Sequence, residues 1–166
     1  SQWTSFLDLV EDTLSRNGIG YERYDGDMNE REREEAIQNF SHGPDVRVLI
    51  GSLQSMGTGL NLVEANHVLF MDRWFNPFLE DQARDRTHRI GQTRPVTAVW
   101  FSARGSVDEA IYKIQERKRA EATTCLQGVG NIQTSVSNSL NQEEMISIMD
   151  YISKLIEQNE EERKRH

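Results

Sequence analysis

Apolar side chains recur at helical spacing from the start of the chain: Trp3, Phe6, Leu7, Val10 and Leu14 fall on one face of a helix running to about Arg16. Asn17-Gly18 then supplies the left-handed residue on which a helix can end. Tyr21 to Tyr24 reads as a short strand stopping at Asp25-Gly26. Asn29, with Glu32 three residues later, starts a second helix through a capping box and buries Ala36, Ile37 and Phe40. Three further runs are almost continuously apolar: Val46, Val48, Leu49 and Ile50; Val68, Leu69, Phe70 and Met71; and residues 96–101. Continuous apolar strands belong to sheets covered by helices on both faces, and their alternation with helices predicts an α/β fold on a parallel sheet. Ser106 with Glu109 reads as another capping box, opening a helix to about Thr124 that turns Val107, Ala110, Ile111 and Ile114 inward.

After a lobe spanning residues 1–127, residues 128–140 are rich in Gly, Asn, Ser and Thr with no helical or alternating period, and so read as a linker. A C-terminal helix over residues 141–166 follows, capped by Asn141 with Glu144. Met145, Ile148, Met149, Ile152, Leu155 and Ile156 form its apolar stripe, and residues 157–166 are almost wholly charged. That stripe suits either packing back on its own domain or reaching toward a partner lobe.

Composition narrows the class. With 166 residues, 36% apolar and 28% charged, the chain suits one globular domain with an extension. No apolar run approaches the roughly 20 residues needed to span a bilayer, so no membrane partner is expected. Cys125, the single cysteine, has no partner for an internal disulfide and no metal-ligand cluster beside it, which suits cytosol or nucleus. No metal ligand is expected within the chain. Nineteen basic against 27 acidic side chains give a net charge of -8, so any contact with a phosphate backbone must be local.

Two stretches carry candidate chemistry. Between the second and third strands stands Gly51-Ser52-Leu53-Gln54-Ser55-Met56-Gly57-Thr58-Gly59-Leu60-Asn61-Leu62. A glycine-bearing loop at the C-terminal end of a parallel strand is where α/β sheets hold phosphate or ribose, although a tight turn alone also calls for glycine. Downstream, Gln82, Arg86 and Arg89 stand at i, i+4 and i+7, which predicts one helical face aiming two guanidiniums the same way; a solvated charged face is the alternative.

Together these stretches resemble the second RecA-like lobe of the Swi/Snf-type chromatin-remodelling ATPases, a branch of the superfamily-two helicases. The resemblance covers residues 1–119. Ser1-Gln2-Trp3 resembles the end of motif four, Tyr24-Asp25-Gly26-Asp27 the Leu-Asp-Gly-Ser turn, residues 52–62 motif five, Trp74-Phe75-Asn76-Pro77 the Trp-Asn-Pro element, and residues 82–92 motif six. The core Asp85-Arg86-Thr87-His88-Arg89-Ile90-Gly91-Gln92 of motif six is intact, whereas Gln54, Ser55 and Met56 replace the basic residue and Ala-Gly usual in motif five. The resemblance implies a RecA-like α/β fold with a C-terminal helical extension, acting as half of a DNA-dependent ATPase. It makes Arg86 and Arg89 the arginine fingers, and places Gly57, Gly59, Asn61 and Gln82 near the nucleotide. Ser52 is carried over as a DNA-phosphate contact and Trp74 as a coupling residue near the DNA, a position that a core aromatic could equally fill.

The sequence contains no phosphate-binding Gly-x-x-x-x-Gly-Lys-[Ser/Thr] loop and no Asp-Glu magnesium motif. ATP and Mg2+ are therefore expected to be bound mainly by a first RecA-like lobe of the same protein, and the strand before Ser1 is expected outside this chain. The partners so implied are that lobe and double-stranded DNA, nucleosomes included, in the nucleus. The isolated chain is expected to be inactive. Two rival readings share the fold: a non-catalytic interaction module, and an RNA helicase lobe.

Overall fold

The computed structural model describes residues 1–57, 59–126 and 139–165. In chain order the elements are α1 (Thr4–Arg16), β1 (Gly20–Tyr24), α2 (Glu30–His42), β2 (Val46–Gly51), α3 (Leu53–Met56), β3 (His67–Phe70), α4 (Pro77–Arg84), β4 (Thr97–Trp100), α5 (Val107–Leu126) and α6 (Gln142–Arg165). They form two compact units. One comprises Ser1–Phe70 with Leu79–Val99, the other Met71–Phe78 with Trp100–His166. Residues 128–138 of the expected linker lie outside the described residues.

In the first unit β1 and β2 run parallel, from Gly20 opposite Val46 to Tyr24 opposite Gly51, and both α1 and α2 pack on them. The helix boundaries have identifiable local causes. At the end of α1, Gly18 adopts φ 64, and the N-H groups of Gly18 and Ile19 bond back to Ser15 and Leu14. Asn29 opens α2 with a complete capping box, its side chain accepting from the Glu32 N-H at 3.0 Å while the Glu32 carboxylate accepts from the Asn29 N-H at 2.8 Å. Leu7, Ala36 and Ile50 are buried between these elements, Leu7 and Ile50 each contributing about 2 kcal/mol through apolar burial. Trp3 differs from expectation: it is the residue before α1 rather than part of its inner face, and is 63% exposed.

β3 pairs with β4 in a second two-stranded ladder. The α/β class with parallel strands holds, but burial along β3 and β4 alternates, and Leu69 is 54% exposed. Both expected apolar runs therefore keep one side toward solvent.

In the second unit α6 packs on α5. Asn141 and Glu144 form the expected capping box, with Asn141 N-H to Glu144 at 3.0 Å and Glu144 N-H to Asn141 at 2.8 Å. The Glu144 carboxylate is buried and also meets Lys118 at 3.1 Å and Arg117 at 3.2 Å. Tyr151 donates its hydroxyl to Glu109, and Lys113 lies over the Tyr151 ring at 5.5 Å. The expected single stripe splits in two. Ile148, Ile152 and Leu155 are half-buried, whereas Met145, Met149 and Ile156 are exposed. The start of α5 is also built differently from a strict capping box: the Ser106 hydroxyl accepts from the Asp108 N-H, and Glu109 accepts from the Gly105 N-H.

Candidate functional site

The chain leaves β2 directly into α3, a single turn. Ser52 caps it, accepting from the Ser55 N-H at 3.3 Å and donating to the Ser55 hydroxyl at 2.8 Å. Ser52 is buried, so its hydroxyl is committed within the turn. Gly57 closes α3, its N-H donating to Leu53 at 3.2 Å. A Cβ at Gly57 would stand 3.3 Å from the Gln54 carbonyl and 3.6 Å from Gln82 Oε1, so the missing side chain lets the glycine loop lie against α4. Beyond it Gly59 and Asn61 are exposed, and a Cβ at Gly59 would meet open space.

The placement of Gln82, Arg86 and Arg89 on one helical face is not observed. Only Gln82 belongs to α4, which ends at Arg84. The cause lies in Thr87, a buried residue whose N-H and hydroxyl both donate to the Arg84 carbonyl, at 3.0 and 2.8 Å. A helix would have offered that carbonyl to residue 88, and the threonine captures it first. Arg86 N-H likewise bonds three residues back, to Ala83 at 3.2 Å. Arg86 and Arg89 are thus carried on turns.

Those turns are stitched to the glycine loop. Leu62 N-H donates to the Arg86 carbonyl at 3.0 Å. Gln92 Nε2 donates to the carbonyls of Val63 at 2.9 Å and Ala65 at 2.7 Å, and Arg94 donates to the Glu64 carbonyl. Gly91, at φ 106, turns the chain so that Gln92 can reach back. Gln92 was placed only at the end of motif six by sequence reasoning; its stitching role depends on carbonyls some thirty positions upstream, which no local pattern encodes.

The polar groups here divide by partnership. Arg84 pairs with Asp81 at 3.3 Å and Asp85 at 2.9 Å. Among the described residues neither Arg86 nor Arg89 makes an ion pair, and the Arg86 Nε is buried without a hydrogen-bond partner. Arg89, Gln82 and Asn61 are exposed. A buried donor left unmet costs about 1–3 kcal/mol, so the Arg86 Nε is a cost to the fold rather than one of its supports. No group of three or more His, Cys, Asp or Glu able to hold a metal ion occurs among the described residues.

Trp74 belongs to the other compact unit. It is half-buried, tilted against Phe75 with ring centroids 4.3 Å apart, and its carbonyl accepts from Gln115 Nε2 at 2.5 Å.

The family profile of the helicase conserved C-terminal domain matches residues 1–91, more than half of the chain. The chain belongs to that family. It is the second, RecA-like lobe of a Swi/Snf-type helicase. Over 119 residues the lobe is 50% identical to the helicase-like transcription factor CHR28 of Arabidopsis thaliana, covering 72% of this chain and 12% of that protein. It is 48% identical over 118 residues to the DNA repair protein rad8 of Schizosaccharomyces pombe, covering 71% of this chain and 10% of rad8. The lobe therefore spans about an eighth or less of these relatives. Among solved structures it is similar to the C-terminal part of the Fun30 ATPase domain, with a TM-score of 0.74 and 27% identity over 94% of this chain and 46% of that one. The SWI2/SNF2 ATPase core domain of Sulfolobus solfataricus gives a TM-score of 0.62 at 27% identity, over 89% of the lobe and 29% of that chain.

Proposed function

We propose that this lobe is half of an ATP-driven translocase on double-stranded DNA, nucleosomal DNA included, and that it acts in the nucleus. Arg86 and Arg89 are the arginine fingers, reaching ATP and Mg2+ that are held mainly by the first RecA-like lobe. The observation that carries this reading is the unpaired state of the two arginines on turns stitched to the glycine loop. In phosphoryl transfer, negative charge spreads over the γ-phosphate oxygens, and a planar, permanently charged donor stabilises it once the lobes close. Bound Mg2+ would neutralise part of that charge. Gln82 and Asn61, both exposed, together with the open approach at Gly59 and the close-packed Gly57, would hold the nucleotide from this side.

On DNA, the lobe would grip phosphates without reading bases. Trp74 would couple that grip to closure. Ser52 belongs to the same proposal with one constraint: its hydroxyl is buried and bonded to Ser55, so a phosphate meets it only when that pair opens.

The half-site is tested by steady-state ATPase assays of the isolated chain and of the full-length protein, each with and without duplex DNA. The isolated chain should stay at background while the full-length protein is stimulated by duplex. Turnover by the isolated chain would overturn the half-site reading, and stimulation by RNA in place of DNA would move the protein to the RNA helicases.

A further inference from the structure

The segment carrying Trp74 is gripped by one buried side chain of α5. Gln115 is 2% exposed. Its Nε2 donates to the Trp74 carbonyl at 2.5 Å, and its Oε1 accepts from an Arg73 guanidinium nitrogen at 3.2 Å. The same face of α5 completes the hold. Three residues before Gln115, Tyr112 lies under the Arg73 guanidinium at 5.1 Å, and three residues after it, Lys118 lies over the Phe75 ring at 5.1 Å. Trp100 meets Arg73 at 5.9 Å. Arg73, Trp74 and Phe75 are therefore each fixed to one helix, and it is Gln115 that bonds the Trp74 backbone.

The chemistry asks for an amide. Holding a carbonyl and a cation at once takes a group that both donates and accepts; a carboxylate can serve only the arginine, and a thioether, a weak acceptor with no donor, cannot hold the carbonyl. A buried polar group stripped of its partner is costly, so the segment has one favoured register on α5 as long as Gln115 is present. We propose that Gln115 is a positioning residue: it sets where Trp74 stands on the DNA side of the lobe, and thereby couples ATP hydrolysis to movement along the duplex. This rests on the DNA role proposed for Trp74.

The test compares wild type, Gln115→Met and Gln115→Glu in the full-length protein. It reads basal ATPase, DNA-stimulated kcat, KM for ATP, base pairs moved per ATP and melting temperature. Both substitutions should lower DNA-stimulated kcat and the distance moved per ATP roughly tenfold, the loss expected for one buried hydrogen bond that the working state depends on. Basal turnover and KM for ATP should stay unchanged. Wild-type coupling in Gln115→Glu would show that holding Arg73 suffices and would overturn the proposal. So would a fall in basal and stimulated rates by the same factor, which marks a merely structural residue. Should Gln115→Met fail to fold, Gln115→Glu, which keeps the Arg73 bond, decides alone. Normal coupling in both variants beside a DNA-stimulated wild type removes this proposal only; a wild type indifferent to DNA removes the translocase reading as well.

Discussion

Arg23 on β1 stands among three carboxylates, at 2.6 Å from Asp8, 2.9 Å from Glu11 and 2.7 Å from the buried Asp25, whereas Arg86 and Arg89 in the same compact unit make no ion pair among the described residues. The hydrogen bonds that Arg23 donates to Asp8 and then Asp25 raise its pKa above the usual value, outweighing burial, which acts the other way. Asp25 in turn accepts from the Asp27 N-H, and Arg33 holds the Asp25 and Gly26 carbonyls, so the turn after β1 is tied to its own neighbours. Arg23 serves the fold and is surrounded by acceptors, whereas the guanidiniums of Arg86 and Arg89, proposed above to serve a ligand, have no ion pair among the described residues.

The largest effect that could break this contrast is on catalysis. In the full-length protein, Arg86→Ala and Arg89→Ala should each lower DNA-stimulated kcat about a thousandfold, since an interaction made chiefly in the transition state is lost. KM for ATP should change little. The melting temperature of the isolated chain should also hold, because neither side chain has an ion-pair partner to lose. Near-normal kcat in both variants would make these arginines ordinary surface charges.

Arg23→Ala should do the opposite. Stripping the buried Asp25 of its cation should cost the isolated chain about 3 kcal/mol. For a chain of this size that lowers the melting temperature by about 8 °C. A loss no greater than that of an exposed pair would place the cluster with surface ion pairs and dissolve the distinction.

Acid should act more gently, on α6. Burial pushes the Glu144 carboxyl up, but hydrogen bonds from the Asn141 N-H and Lys118, with help from Arg117, hold it below its ordinary value of 4.5. A folded value below the unfolded one means that the stabilisation is complete above the ordinary value and disappears as pH falls through the lowered one. Glu144→Gln should therefore be less stable than wild type at neutral pH, by about 1–2 kcal/mol, and the gap should close as pH falls through the lowered value. Melts across a pH series from neutral into acid check this; a gap that does not narrow with falling pH would assign the effect to packing instead of charge. The smallest effect is expected at Met149, which is 62% exposed on the outer side of α6. Met149→Ala should change the stability of the isolated chain by less than about 0.5 kcal/mol, and a larger loss in thermal melts would mean that this side of the helix is covered.

What the sequence made legible follows the range of the forces involved. The α2 and α6 capping boxes, the glycine ending α1 and the four strands depend on neighbours within a few positions and were readable, whereas the turn of helix α3 inside the glycine loop was not. The early end of α4 was not, because two side-chain and backbone bonds from Thr87 to one carbonyl override a helical spacing that continues unbroken on paper. The split stripe on α6 was missed for a related reason: Met145 and Ile148 look alike in sequence, and only the position of α5 decides which is covered. The candidate arginines were named by motif, but their placement on turns stitched to the glycine loop needed the contacts of Leu62, Gln92 and Arg94.

The central claim is that Arg86 and Arg89 favour the transition state of ATP hydrolysis over bound ATP. Its most direct test is the affinity of the full-length protein, with duplex DNA present, for ATP and for ADP with a planar metal fluoride that mimics the transferring phosphoryl group. Arg89→Ala should bind ATP nearly as wild type does and lose most of the additional affinity for the mimic. Equal losses for both ligands, or none for either, would contradict the account.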